Sequence, residues 1–140
     1  TAITVIINLV KSRGQDVING ILSFLDGCLK NYLNGSKNHI EKDGCLQIMG
    51  ALSVVLFKKK QYISQVEPLL VNHVFPEFQS QVSFLRSRAC SIIQNFEFIE
   101  WNKSGSNLNN LIQLVLQSLS DTNLPVQIEA SKVSDSFSSV

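Results

Sequence analysis

Apolar residues recur at helical spacing along nearly the whole chain. Between Asp16 and Leu33, the residues Ile18, Leu22, Leu25, Leu29 and Tyr32 follow one another at intervals of three and four. Asp16 suits an N-cap and Asn34–Gly35 a helix stop. The run Ile3 to Val10, ending near Gly14, reads as the last part of an earlier helix. A further helix is predicted from about His39 to Phe57, with Ile40, Cys45, Ile48, Leu52 and Val55 on one face. Gly44 and Gly50 inside it each cost about 1 kcal/mol against Ala, so a closely packed neighbouring helix is expected at both. Ser64-Gln-Val-Glu67 has capping-box spacing and places Pro68 in a first turn, where its missing N–H is tolerated. That helix carries Val66, Leu69, Leu70 and Val74 towards Phe78, and Pro76 should kink or end it. The next spans roughly Phe84 to Trp101 and buries Leu85, Ala89, Ile92, Ile93 and Phe96. Ser106 or Asn107 then caps a helix with Leu108, Leu111, Val115 and Leu119. Asp121 to Pro125 is a turn opening a last helix with Val126, Ala130, Val133, Phe137 and Val140. No segment reads as a strand.

The alternation of helices and short links invites a test for internal repetition. Ile40-Glu-Lys-Asp-Gly44-Cys45 superimposes on Leu85-Arg-Ser-Arg-Ala89-Cys90 and on Val126-Gln-Ile-Glu-Ala130-Ser131, at offsets of 45 and 41. Each copy has an apolar residue, a small residue four later and another small residue after it. Ile48 matches Ile93, and Ala51 matches Phe96 and Phe137, while the last copy puts Ser134 where the others have Ile. A period near 40–47 built from two helices is that of HEAT and armadillo repeats. The predicted fold is therefore an all-α HEAT-repeat solenoid of about three helical hairpins, divided near 1–35, 39–80, 84–120 and 124–140. Three unrelated amphipathic helices in a bundle are the competing reading. A start at Thr1 and an end inside a predicted helix suggest an internal fragment of a longer array.

Composition narrows the function classes. Only three prolines and seven glycines interrupt the chain, too few for a many-stranded sandwich or barrel. Twelve basic and eleven acidic side chains make no basic face for nucleic acid. The Lys58–Lys60 run is read as a solvated helix end rather than a phosphate or localisation signal. Cys28, Cys45 and Cys90 are widely spaced, an odd count that fits a reducing compartment. The longest uncharged apolar stretch, Leu46 to Phe57, is too short to span a bilayer, so a soluble intracellular chain is expected. His39 and His73 stand outside any H-E-x-x-H or Cys/His pattern and read as helix-surface residues. There is no glycine-rich phosphate loop. Glu97 and Glu100, one turn apart beside Trp101, read as a solvated face. Nothing points to a catalytic residue, a metal or a cofactor.

Four pieces of sequence carry a resemblance. Lys42-Asp-Gly-Cys-Leu-Gln-Ile-Met-Gly-Ala-Leu52, Leu56-Phe-Lys-Lys-Lys60, Asn72-His-Val-Phe-Pro-Glu-Phe78 and Phe84-Leu-Arg-Ser-Arg-Ala-Cys90 resemble, in order and spacing, the importin-β (karyopherin-β) superfamily. They are most like the branch of importins seven and eight and its fungal counterparts. The likeness runs from His39 to Ala130 and fades in the serine-rich tail. It implies a receptor shuttling between cytoplasm and nucleus, with protein cargo on the concave face of second helices. It also implies phenylalanine–glycine nucleoporins on the convex face of first helices, and release by Ran-GTP. The family's acidic loop has no counterpart here, so the main Ran contacts are expected outside this piece. No nucleic-acid or membrane partner is implied. On the first helices, the solvent-directed Met49, Leu56, Ile99 and Trp101 are candidates for a nucleoporin phenylalanine. On the second helix of the middle repeat, Glu67, Asn72, Glu77 and Gln81 offer a mildly acidic surface suited to basic cargo. Arg86 and Arg88 are expected to bond carboxylates of neighbouring repeats. A HEAT scaffold outside nuclear transport, such as a phosphatase regulatory subunit or cytoskeletal adaptor, is the alternative. An enzyme with its active site elsewhere comes third.

Overall fold

The computed structural model describes residues 2–138, without the side chains of Ala2, Ile3 and Ser138. Seven α-helices follow one another: α1 (Ala2–Arg13), α2 (Gln15–Leu33), α3 (His39–Val55), α4 (Lys60–His73), α5 (Ser83–Asn95), α6 (Asn107–Ser118) and α7 (Leu124–Ser138). A 3-10 turn, Phe75–Gln79, follows α4. No strand occurs among the described residues. Val140, expected at the end of the last apolar stripe, lies outside them, as do Thr1 and the side chain of Ile3.

Local chemistry sets most boundaries. Gly14, at φ 77°, supplies the left-handed residue that separates α1 from α2. The Asn38 side chain caps α3, accepting the Glu41 N–H at 3.0 Å and donating to the Glu41 carboxylate at 3.2 Å. At the opening of α7, Asn123 Oδ1 accepts the Val126 N–H at 3.4 Å.

Three boundaries differ from the sequence expectation. Asp16, expected as a cap, lies inside the first turn of α2, whose cap position is Gly14. The helix holding Pro68 begins at Lys60, so Ser64 is not its cap and Pro68 sits inside it on the solvent side. Helix α5 stops at Asn95, six residues before Trp101. The segment beyond it turns tightly, with the Ile99 N–H donating to the Phe96 carbonyl at 3.1 Å. Rings gathered there explain the stop. Phe96 meets Phe57 at 5.8 Å and Phe98 at 5.9 Å between centroids, and Trp101 meets Phe75 at 6.1 Å. Aromatic burial of this kind outweighs the weak local preference for one more helical turn. Glu97, Ile99, Glu100 and Trp101 therefore lie in a loop, not on a first helix.

The helices form two layers. Helices α1, α3, α5 and α7 pack side by side. On them lie α2, which touches α1 and α3, and α6, which touches α7; the 3-10 turn joins α4, α5 and α6. One apolar core runs through the array, from Val10 and Ile18 to Ala130 and Val133. Each hairpin completes its burial only against the next, the defining property of a solenoid.

Candidate partner-binding surfaces

Polar side chains cross the seams between first helices. Arg88 Nε on α5 donates to Asp43 on α3 at 2.8 Å, and Gln94 on α5 donates to Glu129 on α7 at 2.8 Å. Arg86 grips Asp121, ahead of α7, through Nε at 2.8 Å and Nη2 at 3.1 Å. This two-point contact holds the Asp121 carboxyl below the usual range and raises the guanidinium. The inter-repeat role expected of both arginines is what the structure has. Asp43, Arg88 and Glu129 occupy the same slot of three successive repeats and line one groove across this layer.

The two glycines part company. A Cβ on Gly50 would lie 2.7 Å from Asn95 Nδ2 and 2.9 Å from Ile92 Cδ1, so α5 does approach closely there. A Cβ on Gly44 would meet nothing within 4 Å, which corrects the expectation for that residue. Ala89 and Ala130, its counterparts, are fully buried. Cys45 and Cys90 are buried as packing residues, and burial pushes their thiols up to about 12 and about 11.

Five of the sequence-chosen contacts need correction. Met49 and Leu56 are 0% exposed and Ile99 is 9% exposed, so none is directed to solvent. Trp101 is half-buried against Phe75. Glu77 is 5% exposed and faces Lys42, itself 2% exposed, with Nζ to Oε1 at 3.8 Å. Burial pushes the Glu77 carboxyl up and the Lys42 ammonium down, and each charge opposes the other's shift. Lys42 also stands 4.9 Å above the Tyr32 ring, whose hydroxyl is 3.0 Å from His39 Nδ1.

Glu67, the other expected acid, is spent within the fold. Its carboxylate accepts the Asn102 N–H at 3.0 Å and the Asn107 side-chain amide at 2.8 Å. Asn72 and Gln81 remain exposed. The acidic cargo surface is thus largely consumed by internal bonds.

The reading of His73 as an ordinary helix-surface residue is corrected by the packing. The side chain is half-buried, and its Nδ1 is buried with no hydrogen-bond partner among the described residues. Burial first, then the Lys42 charge, lowers its pKa. It sits beside a groove of about 320 Å³ between α2 and α4, floored by Leu22, Leu25, Leu29 and Leu69 and rimmed by Asp26, Gln65 and Asn72. His73 ends an apparently ordinary amphipathic stretch, and only the packing of α2 across it reveals the pocket. Among the described residues no cluster of His, Cys, Asp or Glu could hold a metal, and no helix is long and apolar enough to cross a membrane.

These are the features of a repeat-built α-solenoid. The comparisons with known proteins say which kind. The chain is 39% identical over 129 residues to a probable importin-7 homologue of Dictyostelium discoideum, covering 89% of this chain and 12% of that protein. It is 30% identical over 131 residues to importin-8 of Mus musculus, covering 93% and 13%. It is 31% identical over 125 residues to the importin beta-like SAD2 homologue of Arabidopsis thaliana, covering 87% and 12%. No protein-family model matches the chain, and no solved structure does. Over most of its length, then, this chain is homologous to importin-7, importin-8 and related importin-beta-like proteins, and its fold is the HEAT-repeat solenoid of that group. It spans about an eighth of the length of the curated relatives it matches.

Proposed function

We propose that this chain is a segment of a nuclear import receptor that carries protein cargo through nuclear pores, with release driven by Ran-GTP. The observation that carries the reading is its homology, over about nine-tenths of its length, to proteins named importins. A two-layer helical array supports it, because such arrays present long surfaces to protein partners. In this reading the repeats divide near 1–35, 39–80, 84–120 and 124–140, and the role is binding, without catalysis. Cargo meets the layer of α2, α4 and α6, where Asn72 and the rim around it are exposed. Phenylalanine–glycine nucleoporins meet the layer of α3 and α5, with Trp101 at its end. Met49, Leu56 and Ile99 shape that layer from within, and Glu67 and Glu77 hold the cargo side in place. The principal Ran contacts belong to other repeats of the receptor. The protein moves between cytoplasm and nucleus and needs neither nucleic acid nor membrane as a partner.

A pull-down of the protein at its natural length, with GTP-locked Ran and with nucleoporin phenylalanine–glycine repeats, tests the reading. Capture by both is expected. Capture by neither overturns it in favour of a HEAT scaffold or adaptor outside nuclear transport.

A further inference from the structure

The layer of second helices carries a pattern that charge counting hides. On α4, Gln61, Gln65, Pro68 and Asn72 follow at intervals of four, three and four, and all are exposed. On α6, Asn109, Gln113 and Leu116 repeat the spacing 48 residues later, again exposed. Residues so spaced share one helix face. The side chains of Gln65, Asn72, Asn109 and Gln113 make no hydrogen bond among the described residues. The face is also electrically quiet. Asp26 is paired with Lys30 at 2.7 Å and Glu77 with Lys42, while the Glu67 carboxylate keeps its charge but is engaged by neutral amides of α6 and the loop before it.

The groove between α2 and α4 opens on this face. Its floor is leucine, its rim is two carboxamides with Asp26, whose carboxylate is already paired with Lys30, and the His73 Nδ1 beside it is buried without a partner among the described residues. A buried polar atom left unpaired costs free energy that a ligand group can recover. At about 320 Å³ the groove is at the small end of ligand pockets, which run roughly 300–1,000 Å³. It suits one large apolar side chain with a short length of main chain. Carboxamides offer both donors and acceptors, the complement of a peptide backbone.

We infer that the groove between α2 and α4 receives an extended, uncharged segment of a cargo protein, which inserts one large apolar side chain over Leu25, Leu29 and Leu69. Gln65 and Asn72 hold its main chain, and a main-chain group pairs with His73. This deepens the import-receptor reading and rests on it for the word cargo. It replaces the basic cargo expected from the sequence with an apolar, salt-indifferent determinant.

The test is a phage-displayed library of random twelve-residue peptides, selected on the natural-length protein and counter-selected on Gln65→Lys/Asn72→Lys. Both substitutions lie on the exposed rim, so the fold is left intact. Peptides retained only by the unsubstituted protein are expected to carry one Leu, Ile, Phe or Met among uncharged residues. By fluorescence anisotropy these peptides should bind about tenfold more weakly to the rim variant and to His73→Leu. Their affinity should change less than about twofold between low and high salt. Enrichment of basic peptides, strongly salt-dependent binding, equal binding by both variants, or no enrichment at all overturns the inference. Both variants should still capture GTP-locked Ran and nucleoporin repeats. If those fail with the unsubstituted protein while the peptides bind, the receptor reading falls and the groove stands.

Discussion

The two layers of this solenoid are joined in different ways. Between first helices the seam is closed: α5 comes within contact of Gly50, and Arg88, Arg86 and Gln94 tie it to carboxylates on either side. Between second helices it is sparse. Gln15 donates to the Tyr62 hydroxyl at 3.2 Å to join α2 to α4, and Glu67 joins α4 to α6. A groove remains beside them. One layer fixes the spacing of the repeats, and the other keeps polar and apolar groups available to something else.

Breaking the tie between the layers should have the largest effect. Lys42→Ala leaves Glu77 buried without its cation, and losing one partner of a buried pair costs about 3–5 kcal/mol. Native-state hydrogen exchange in α3 reads the loss as faster opening. The double change Lys42→Met/Glu77→Leu should recover most of it, since an apolar pair of similar size avoids desolvation. Opening as fast in the double variant as in Lys42→Ala would show that the charges themselves are needed. Next comes the closed seam. Gly50→Leu forces Ile92 and Asn95 aside and should cost about 1–3 kcal/mol in α3 and α5 by the same measurement. Gly44→Leu, with open space around it, should cost less. Arg86→Ala removes a two-point contact to Asp121 and should cost about 1–3 kcal/mol, read at the start of α7.

How far the sequence could be read is visible at these same residues. Helical period and the repeated small residues were legible, and so was the inter-repeat role of the arginines. The direction of each face was not. An amphipathic stripe assumes one buried side, but a first helix of a solenoid is covered by two neighbours and by the second layer. From Cys45 to Ser53 only Gln47 and Ile48 escape full burial, so Met49 and Leu56 had no solvent to face. The end of α5 was missed because Phe96 and Trp101 continue an apolar pattern while packing on Phe57 and Phe75, far back along the chain. The acids Glu67 and Glu77 were visible, but their partners, 35 to 40 residues on for Glu67 and 35 back for Glu77, were not.

The smallest effects belong to the open seam. His73 has its pKa lowered by burial, so in acid the unfolded chain takes up a proton before the folded one. Stability is therefore whole above about pH 6.5 and falls as pH drops below it. His73→Leu should flatten that slope between neutral and mildly acidic pH, as followed by hydrogen exchange in α4. Asp121 works in a lower window: its depressed carboxyl gives stability above about pH 4 that is lost as pH falls further. Gln65→Ala and Asn72→Ala, exposed and without bonds, should change stability by no more than about 0.5 kcal/mol. A larger change at either would mean that the second seam is not open.

Asp43, Arg88 and Glu129, in one slot of three consecutive hairpins, alternate in sign. The hairpins are consequently not interchangeable units. Excising the central one as a block would set Asp43 against Glu129, two like charges in adjoining slots, with only the exposed Lys132 near the second. Duplicating it would set arginine against arginine. A change in hairpin number that put like charges in adjoining slots would leave that seam without the ion pair Arg88 and Asp43 make.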